Sequence, residues 1–186
     1  IVIFVGRLTS LKCVDYLIKG FSNIKYKNKF LIVVGEGEEF FNLGRLVNSL
    51  KLQNNVFFVG KVDHKEIFDY MGISDVLVLP SLMETGGNVI LEAMSLGLPV
   101  VSTKVGWASD LINDGINGFF IGKKNSDDIK RKIDNELQQN ANKNYKTGNR
   151  CVLFFQLQLF QQLSSAVYLH FGLFLECLLI GPNGAV

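Results

Sequence analysis

Two glutamates, Glu84 and Glu92, stand eight residues apart in the stretch ETGGNVILEAM. The segment after Asn88 is apolar on one face, and asparagine is a favoured residue at the start of a helix. On that reading Asn88 caps a helix, Glu84 lies in the loop before it, and Glu92 lies in its first turns. Both carboxylates then project toward a helix N-terminus, where the first backbone N–H groups have no intrahelical partner. Such an end attracts anions, phosphate above all. Gly86 and Gly87 carry no side chain, so a ligand can approach the backbone closely. N–H groups holding a diphosphate, with a carboxylate on either side to accept hydrogen bonds from hydroxyls, make a site for a sugar nucleotide. Taken alone, the two acids have a plainer reading: Glu92 complements the helix dipole and Glu84 is a solvated loop charge.

Two cations change the balance. In GRLTSLK (6–12), Arg7 follows an apolar run and Lys12 opens the next amphipathic stretch. Arginine can grip a diphosphate bidentately, and lysine adds a point charge. A nucleoside diphosphate that departs from a sugar develops negative charge as the glycosidic bond breaks. Fixed cations and helix N–H groups aimed at that charge stabilise the transition state without a metal. In isolation Arg7 and Lys12 read as solvated surface cations. The conjunction of a cation pair and a carboxylate pair carries the functional reading, provided the fold brings them together.

The elements that must do so are legible as short apolar runs alternating with longer amphipathic ones. Strands are expected at 1–5, 30–34, 55–59, 75–80, 99–103 and 119–121, and helices at 14–24, 38–52, 64–72, 88–96, 108–113 and 127–139. Continuous apolar strands alternating with helices predict an α/β fold, a Rossmann-like doubly wound parallel sheet with helices on both faces. Right-handed crossovers place every strand-to-helix loop along one edge of the sheet, and ligands bind at that edge. The loops containing Gly6–Lys12, Gly35–Gly37, Gly60–Lys61, Pro80–Asn88 and Lys104–Gly106 therefore meet there. No G-x-G-x-x-G follows the first strand, which argues against a dinucleotide-dependent dehydrogenase.

The bulk numbers narrow the class further. At 186 residues, 48% hydrophobic and 19% charged, the chain is long enough and apolar enough for a globular core. A net charge of +2 gives no basis for a nucleic-acid partner. Cys13, Cys151 and Cys177 have neither metal-ligand nor disulfide-framework spacing, which points to a reducing compartment. His64 reads as a surface or capping residue, and His170 as buried or extraneous. The chain starts with Ile1 inside an apolar run, as a piece of something longer would. Residues 1–140 are expected to form the nucleotide-sugar-binding domain, 141–150 a polar linker, and 151–186 an apolar tail. For the tail, a core-covering or interfacial helix, a membrane-associated segment and an unrelated sequence all stay open.

With these residues in view, the chain from Ile1 to about Ile133 resembles the C-terminal domain of the large glycosyltransferase family four and its glycogen-synthase-like relatives. The segments that carry the resemblance are VGRLTSLKCVDYLIKGF (5–21), IVVGEGEE (32–39), the run from Val56 to Val101 that contains the paired glutamates, and VGWASDLINDGINGFFI (105–121). The resemblance implies the C-terminal half of a GT-B enzyme that transfers a sugar, hexosyltransferase-like, from a nucleotide sugar with retention. It implies that Arg7 and Lys12 bind the diphosphate, that Glu84 faces the donor sugar, and that Glu92 grips the ribose. It further implies that Gly86, Gly87, Asn88 and Val89 offer backbone amides to sugar and phosphate, and that Gly60 and Lys61 sit at the base. Gly6 belongs to the same donor-binding set.

No cofactor or metal is implied; the donor is a substrate linked to UDP, GDP or ADP. An acceptor glycan or lipid is expected to reach the cleft through an amino-terminal domain, so this chain alone is not expected to turn over. The expected location is cytoplasmic, with peripheral membrane association left open. The chain departs from the family pattern at Cys13 and Trp107, where glycine is usual, and at Asp110, where glutamate is usual. Trp107 is expected to crowd a loop beside the donor. A non-catalytic nucleotide-sugar-binding module and a sugar-nucleotide epimerase stand as alternatives.

Overall fold

A computed structural model of the chain describes residues 1–26, 28–84 and 86–142, with side chains as far as residue 136. Six strands form one sheet: β1 (Val2–Val5), β2 (Leu31–Val34), β3 (Val56–Gly60), β4 (Val76–Leu79), β5 (Val100–Thr103) and β6 (Gly118–Ile121). Their order is β3-β2-β1-β4-β5-β6 and every pairing is parallel. Each expected strand forms, within a residue or so at either end. VIFV, LIVV, VLVL and VVST are buried along their whole length, as strands covered on both faces must be. β3 lies at a sheet edge, and its Phe57 is about half exposed.

The helices are α1 (Val14–Ser22), α2 (Phe40–Ser49), α3 (His64–Gly72), α4 (Asn88–Ser95), α5 (Ala108–Leu111) and α6 (Ser126–Asn142). Contacts group them into two layers: α1 with α2 and α6, and α3 with α4 and α5. This is the doubly wound arrangement expected. The strand order reverses between β1 and β4, the position at which sheets of this kind bind ligands. Arg7 and Lys12 lie on the loop that follows β1, and Glu84 on the loop that follows β4.

Leu17, Ile18 and Phe21 of α1 and Ile129 and Ile133 of α6 are fully buried, which locks the last helix onto the first. The junction from β6 into α6 is polar. Asn125 Oδ1 accepts from the N–H of Asp128 at 2.9 Å, and Asp128 accepts from the N–H of Gly122 at 2.7 Å and pairs with Arg131. Burial alone would raise the Asp128 carboxyl above its usual range. The Gly122 N–H and the Arg131 guanidinium outweigh it and hold the carboxyl lower. The stabilisation from a depressed carboxyl is present above the unfolded value of about 4 and is lost as pH falls through the folded one. Asp128→Asn therefore lowers Tm at neutral pH, and the Tm curves for the two proteins converge in acid, once pH has fallen below the folded value.

α6 runs to Asn142, so the first two residues of the stretch expected as a linker (141–150) are helical. The remainder of that stretch, the apolar tail 151–186 and His170 lie outside the described residues. Among the described residues, no helix is long and apolar enough to cross a membrane.

Candidate functional site

The loops at the carboxyl edge are tied to one another by backbone hydrogen bonds. Gly6 N–H donates to Val34 O at 3.0 Å, Leu8 N–H to Glu36 O at 2.8 Å, and Gly35 N–H to Gly60 O at 2.8 Å. The β4 loop joins the β1 loop through Leu82 N–H to Leu11 O at 2.8 Å. Groups bonded in this way have little freedom to relax, so side chains mounted on them keep their positions.

Lys12 and Glu84 meet on that scaffold. Lys12 sits at the end of a single turn of 3-10 helix, Ser10–Lys12, and its Nζ lies 2.6 Å from Glu84 Oε2. The Lys12 and Glu84 side chains are only 21% and 15% exposed, so the pair is shielded more than a surface ion pair. Ser81 Oγ donates to Glu84 Oε1 at 2.6 Å, and Thr103 Oγ1 donates to the Ser81 carbonyl. Both oxygens of Glu84 thus have donors, and a hydrogen-bond chain runs back to β5. Ser81 was not among the sequence candidates; its spacing of three from Glu84, directly after Pro80, was the available signal.

The turn that carries Lys12 ends in Cys13, which adopts the left-handed conformation (φ 51, ψ 38) and is buried. That conformation strains a non-glycine residue by about 1–2 kcal/mol, whereas burying a small side chain returns about 1 kcal/mol. The two nearly cancel, which is how cysteine occupies this left-handed position without disrupting the turn. Burial pushes the Cys13 thiol up, Asp15 pushes it further, and Lys124 opposes both. A cleft of about 250 Å³ lined by Thr9, Ser10, Cys13, Tyr16, Glu39 and Lys124 opens nearby, and neither Lys12 nor Glu84 lines it.

α4 begins at Asn88, and the cap position falls to Gly87, whose carbonyl accepts from Ile90 N–H at 2.9 Å and Leu91 N–H at 3.0 Å. This corrects the expectation that Asn88 is the cap. Its side chain makes no capping hydrogen bond because glycine takes the turn one residue earlier, and Asn88 is exposed as the first helical residue. The helix end still sits where expected. Among the described residues, the N–H groups of Gly86, Gly87, Asn88 and Val89 have no hydrogen-bond acceptor.

Trp107 packs against this end. A Cβ added to Gly87 would lie 2.7 Å from Trp107 Cβ and 2.9 Å from its Cε3. The neighbouring Gly106 approaches Glu84 itself: a Cβ there would meet the Glu84 carbonyl oxygen at 2.8 Å. Trp107 therefore does crowd the chain at Gly87, while remaining 48% exposed. Gly87→Ala is expected to destabilise the chain by about 1–3 kcal/mol, because Cβ-to-Cβ overlap forces the backbone apart. Adding Trp107→Gly should restore Tm, whereas Trp107→Ala, which keeps the offending Cβ, should not.

Glu92 lies on the second turn of α4 and does not contact Lys12 or Glu84. Its Oε1 accepts from His64 Nε2 at 2.9 Å. His64 is the first residue of α3 and is 69% exposed; the helix cap is Asp63, whose N–H donates to Glu66 Oε2 at 2.9 Å. His64 is thus a surface residue, as expected, but not the cap. Sequence spacing hides its contact with Glu92, which comes from an element 28 residues away. Arg7 is exposed, and its side chain has no hydrogen-bond or ionic partner among the described residues. Gly60 closes β3, and the exposed Lys61 follows it on the same edge. Among the described residues no group of three or more His, Cys, Asp or Glu side chains could hold a metal.

The comparisons with known proteins agree with this fold. The model of the family described as Glycosyl transferases group 1 matches residues 1–150. An uncharacterized glycosyltransferase of Methanocaldococcus jannaschii, MJ1607, is 34% identical over 149 residues, 80% of this chain and 38% of its own length. N-acetyl-alpha-D-glucosaminyl L-malate synthase of Bacillus anthracis is 32% identical over 120 residues, 64% of this chain and 31% of its own. The crystal structure of Anabaena HepE in complex with UDP and glucose matches with a TM-score of 0.75 and 27% identity, over 84% of this chain and 43% of that one. The chain thus spans well under half the length of these relatives.

Proposed function

The chain belongs to the family of glycosyl transferases group 1, and from that premise we propose that it supplies the donor-binding half of a retaining glycosyltransferase acting on a nucleotide sugar. The observation that carries the reading is the shielded Lys12–Glu84 pair, which joins the β1 and β4 loops at the point where the strand order reverses. N–H groups at the start of α4, without acceptors among the described residues, supply the second half of an anion site. HepE, 27% identical, was crystallised with UDP and glucose, which supports a nucleoside diphosphate at this edge.

In the proposed reaction a hydroxyl oxygen of the acceptor attacks the anomeric carbon from the face that the diphosphate leaves. The bond from that carbon to the diphosphate oxygen breaks, and its electron pair stays on the diphosphate. The acceptor proton passes to the departing diphosphate. Lys12, Arg7 and the amides of Gly86, Gly87, Asn88 and Val89 stabilise the charge that develops there. Glu84, oriented by Ser81 and Lys12, accepts hydrogen bonds from the donor sugar. Glu92 accepts from the ribose, and Gly60 and Lys61 flank the base. A donor linked to UDP, GDP or ADP fits this chemistry with no metal. An acceptor glycan or lipid would enter from an amino-terminal domain, in whose absence the chain binds donor weakly and does not turn it over.

The test is a transfer assay on the chain joined to such a domain, with a donor labelled in the sugar. Label in the acceptor, alongside free nucleoside diphosphate and with the anomeric configuration kept, is the expected result. Label that returns to the nucleotide as an epimer would replace this reading with that of an epimerase.

A further inference from the structure

Glu92 is the only carboxylate at this edge whose described partner is a histidine from a different strand-to-helix loop. Its two oxygens are in unequal positions. Oε1 takes the N–H of His64 Nε2 at 2.9 Å, whereas Oε2 is buried and has no hydrogen-bond partner among the described residues. A buried carboxylate oxygen without a donor is costly, by about 1–3 kcal/mol, so a turn of the carboxylate that brings this oxygen out to a ligand hydroxyl is favoured. The terminal torsion of a glutamate is soft, so the carboxylate can turn without moving α4. Left unheld, that softness would cost entropy on binding; a hydrogen bond from outside the helix removes it in advance.

His64 is suited to hold it. It is the first residue of α3, on the connection that starts at Gly60 and Lys61, and its ring also packs edge-on against Phe68 with centroids 5.5 Å apart. At 69% exposure it contributes little to the core. It has no capping duty, since Asp63 and Glu66 close the start of α3. What remains is its contact with Glu92.

We propose that His64 is a positioning residue of the donor site: by holding Glu92 Oε1 it presents the carboxylate to a vicinal diol, the ribose 2′- and 3′-hydroxyls of the nucleotide. The proposal rests on the assignment of Glu92 to the ribose made above. It also couples the loop flanking the base to the carboxylate that holds the sugar of the nucleoside, so both are ordered by one contact.

The test is calorimetric binding of UDP and of 2′,3′-dideoxy-UDP to the full chain. The wild type is expected to prefer UDP. His64→Ala should weaken UDP binding by about 10-fold, the effect of losing one hydrogen bond to a charged group, and leave the dideoxy compound nearly unchanged. His64→Gln, whose amide N–H can still donate, should recover most of the loss. In a Glu92→Gln background His64→Ala should add little. A wild type that prefers UDP, with His64→Ala showing the same preference, overturns the proposal and leaves the donor reading standing. A wild type that binds both compounds equally, or neither, overturns the ribose assignment itself. A loss of Tm in His64→Ala that lowers affinity for both compounds alike, with no rescue by glutamine, shows a purely structural role and also overturns it.

Discussion

With Arg7 and Lys12 both replaced by alanine, turnover of the chain joined to an amino-terminal domain falls by about 10³-fold or more, a larger change than any in preference among donor sugars. The size of the effect follows from where the two cations sit. Lys12 is only 21% exposed and is held by a carboxylate 2.6 Å away, so its charge acts on a neighbouring diphosphate with less screening by water. Arg7 is exposed and has no described partner, so it is free to close on a phosphate bidentately, at the expense of ordering its own side chain. Lys12→Ala should therefore be the more harmful single change. It also strips Glu84 of its cation and leaves that carboxylate, 15% exposed, with Ser81 as its remaining described donor. The discriminating feature is the split in Arg7→Ala, which leaves the Lys12–Glu84 pair in place: kcat drops with the charge on the leaving group, and sugar selectivity, which follows Glu84, does not move. Steady-state release of nucleoside diphosphate from several sugar donors measures both.

Gly35→Ala destabilises the chain by about 3 kcal/mol or more, enough to unfold a marginally stable domain. Gly35 has φ +130, a conformation that L side chains rarely adopt, and an added Cβ would sit 2.0 Å from the carbonyl oxygen of Gly6 and 2.9 Å from its carbonyl carbon. Both obstacles are backbone, so no rotamer change removes the overlap. Moving the backbone instead strains the Gly35 N–H to Gly60 O bond that ties β2 to β3. Gly6 precedes Arg7, so the same shift displaces a proposed phosphate-binding cation. Gly44 is the matched control: it lies on α2 with nothing within 4 Å of an added Cβ. Gly44→Ala should stabilise by about 0.5–1 kcal/mol. Urea unfolding of the two variants against wild type checks both signs.

The fold was legible because parallel strands buried on both faces show as unbroken apolar runs, and because VIFV, LIVV, VLVL and VVST leave no other use for so many branched side chains in succession. That the loops of Lys12 and Glu84 share an edge was legible from right-handed crossovers, whereas the ion pair between the two side chains was not. What escaped was decided by distances that spacing does not encode. Asn88 looked like a cap, yet Gly87 turns the chain one residue earlier and leaves asparagine as the first helical residue. His64 looked like an isolated surface histidine until α3 packed beside α4 and brought it to Glu92. Ser81 was visible in the loop, but nothing in the sequence tells which way a serine three residues before a glutamate turns its hydroxyl.

The account stands on a nucleoside diphosphate lying where the β1 loop, the β4 loop and the start of α4 converge. Titration of the ¹⁵N-labelled chain with UDP tests this directly. The predicted outcome is saturable amide shifts clustered at Gly6–Lys12 and at Gly86–Val89, with smaller shifts at Gly60, Lys61 and His64. Shifts confined to the amino-terminal ends of the strands, or to the cleft beside Cys13 and Lys124, would contradict it.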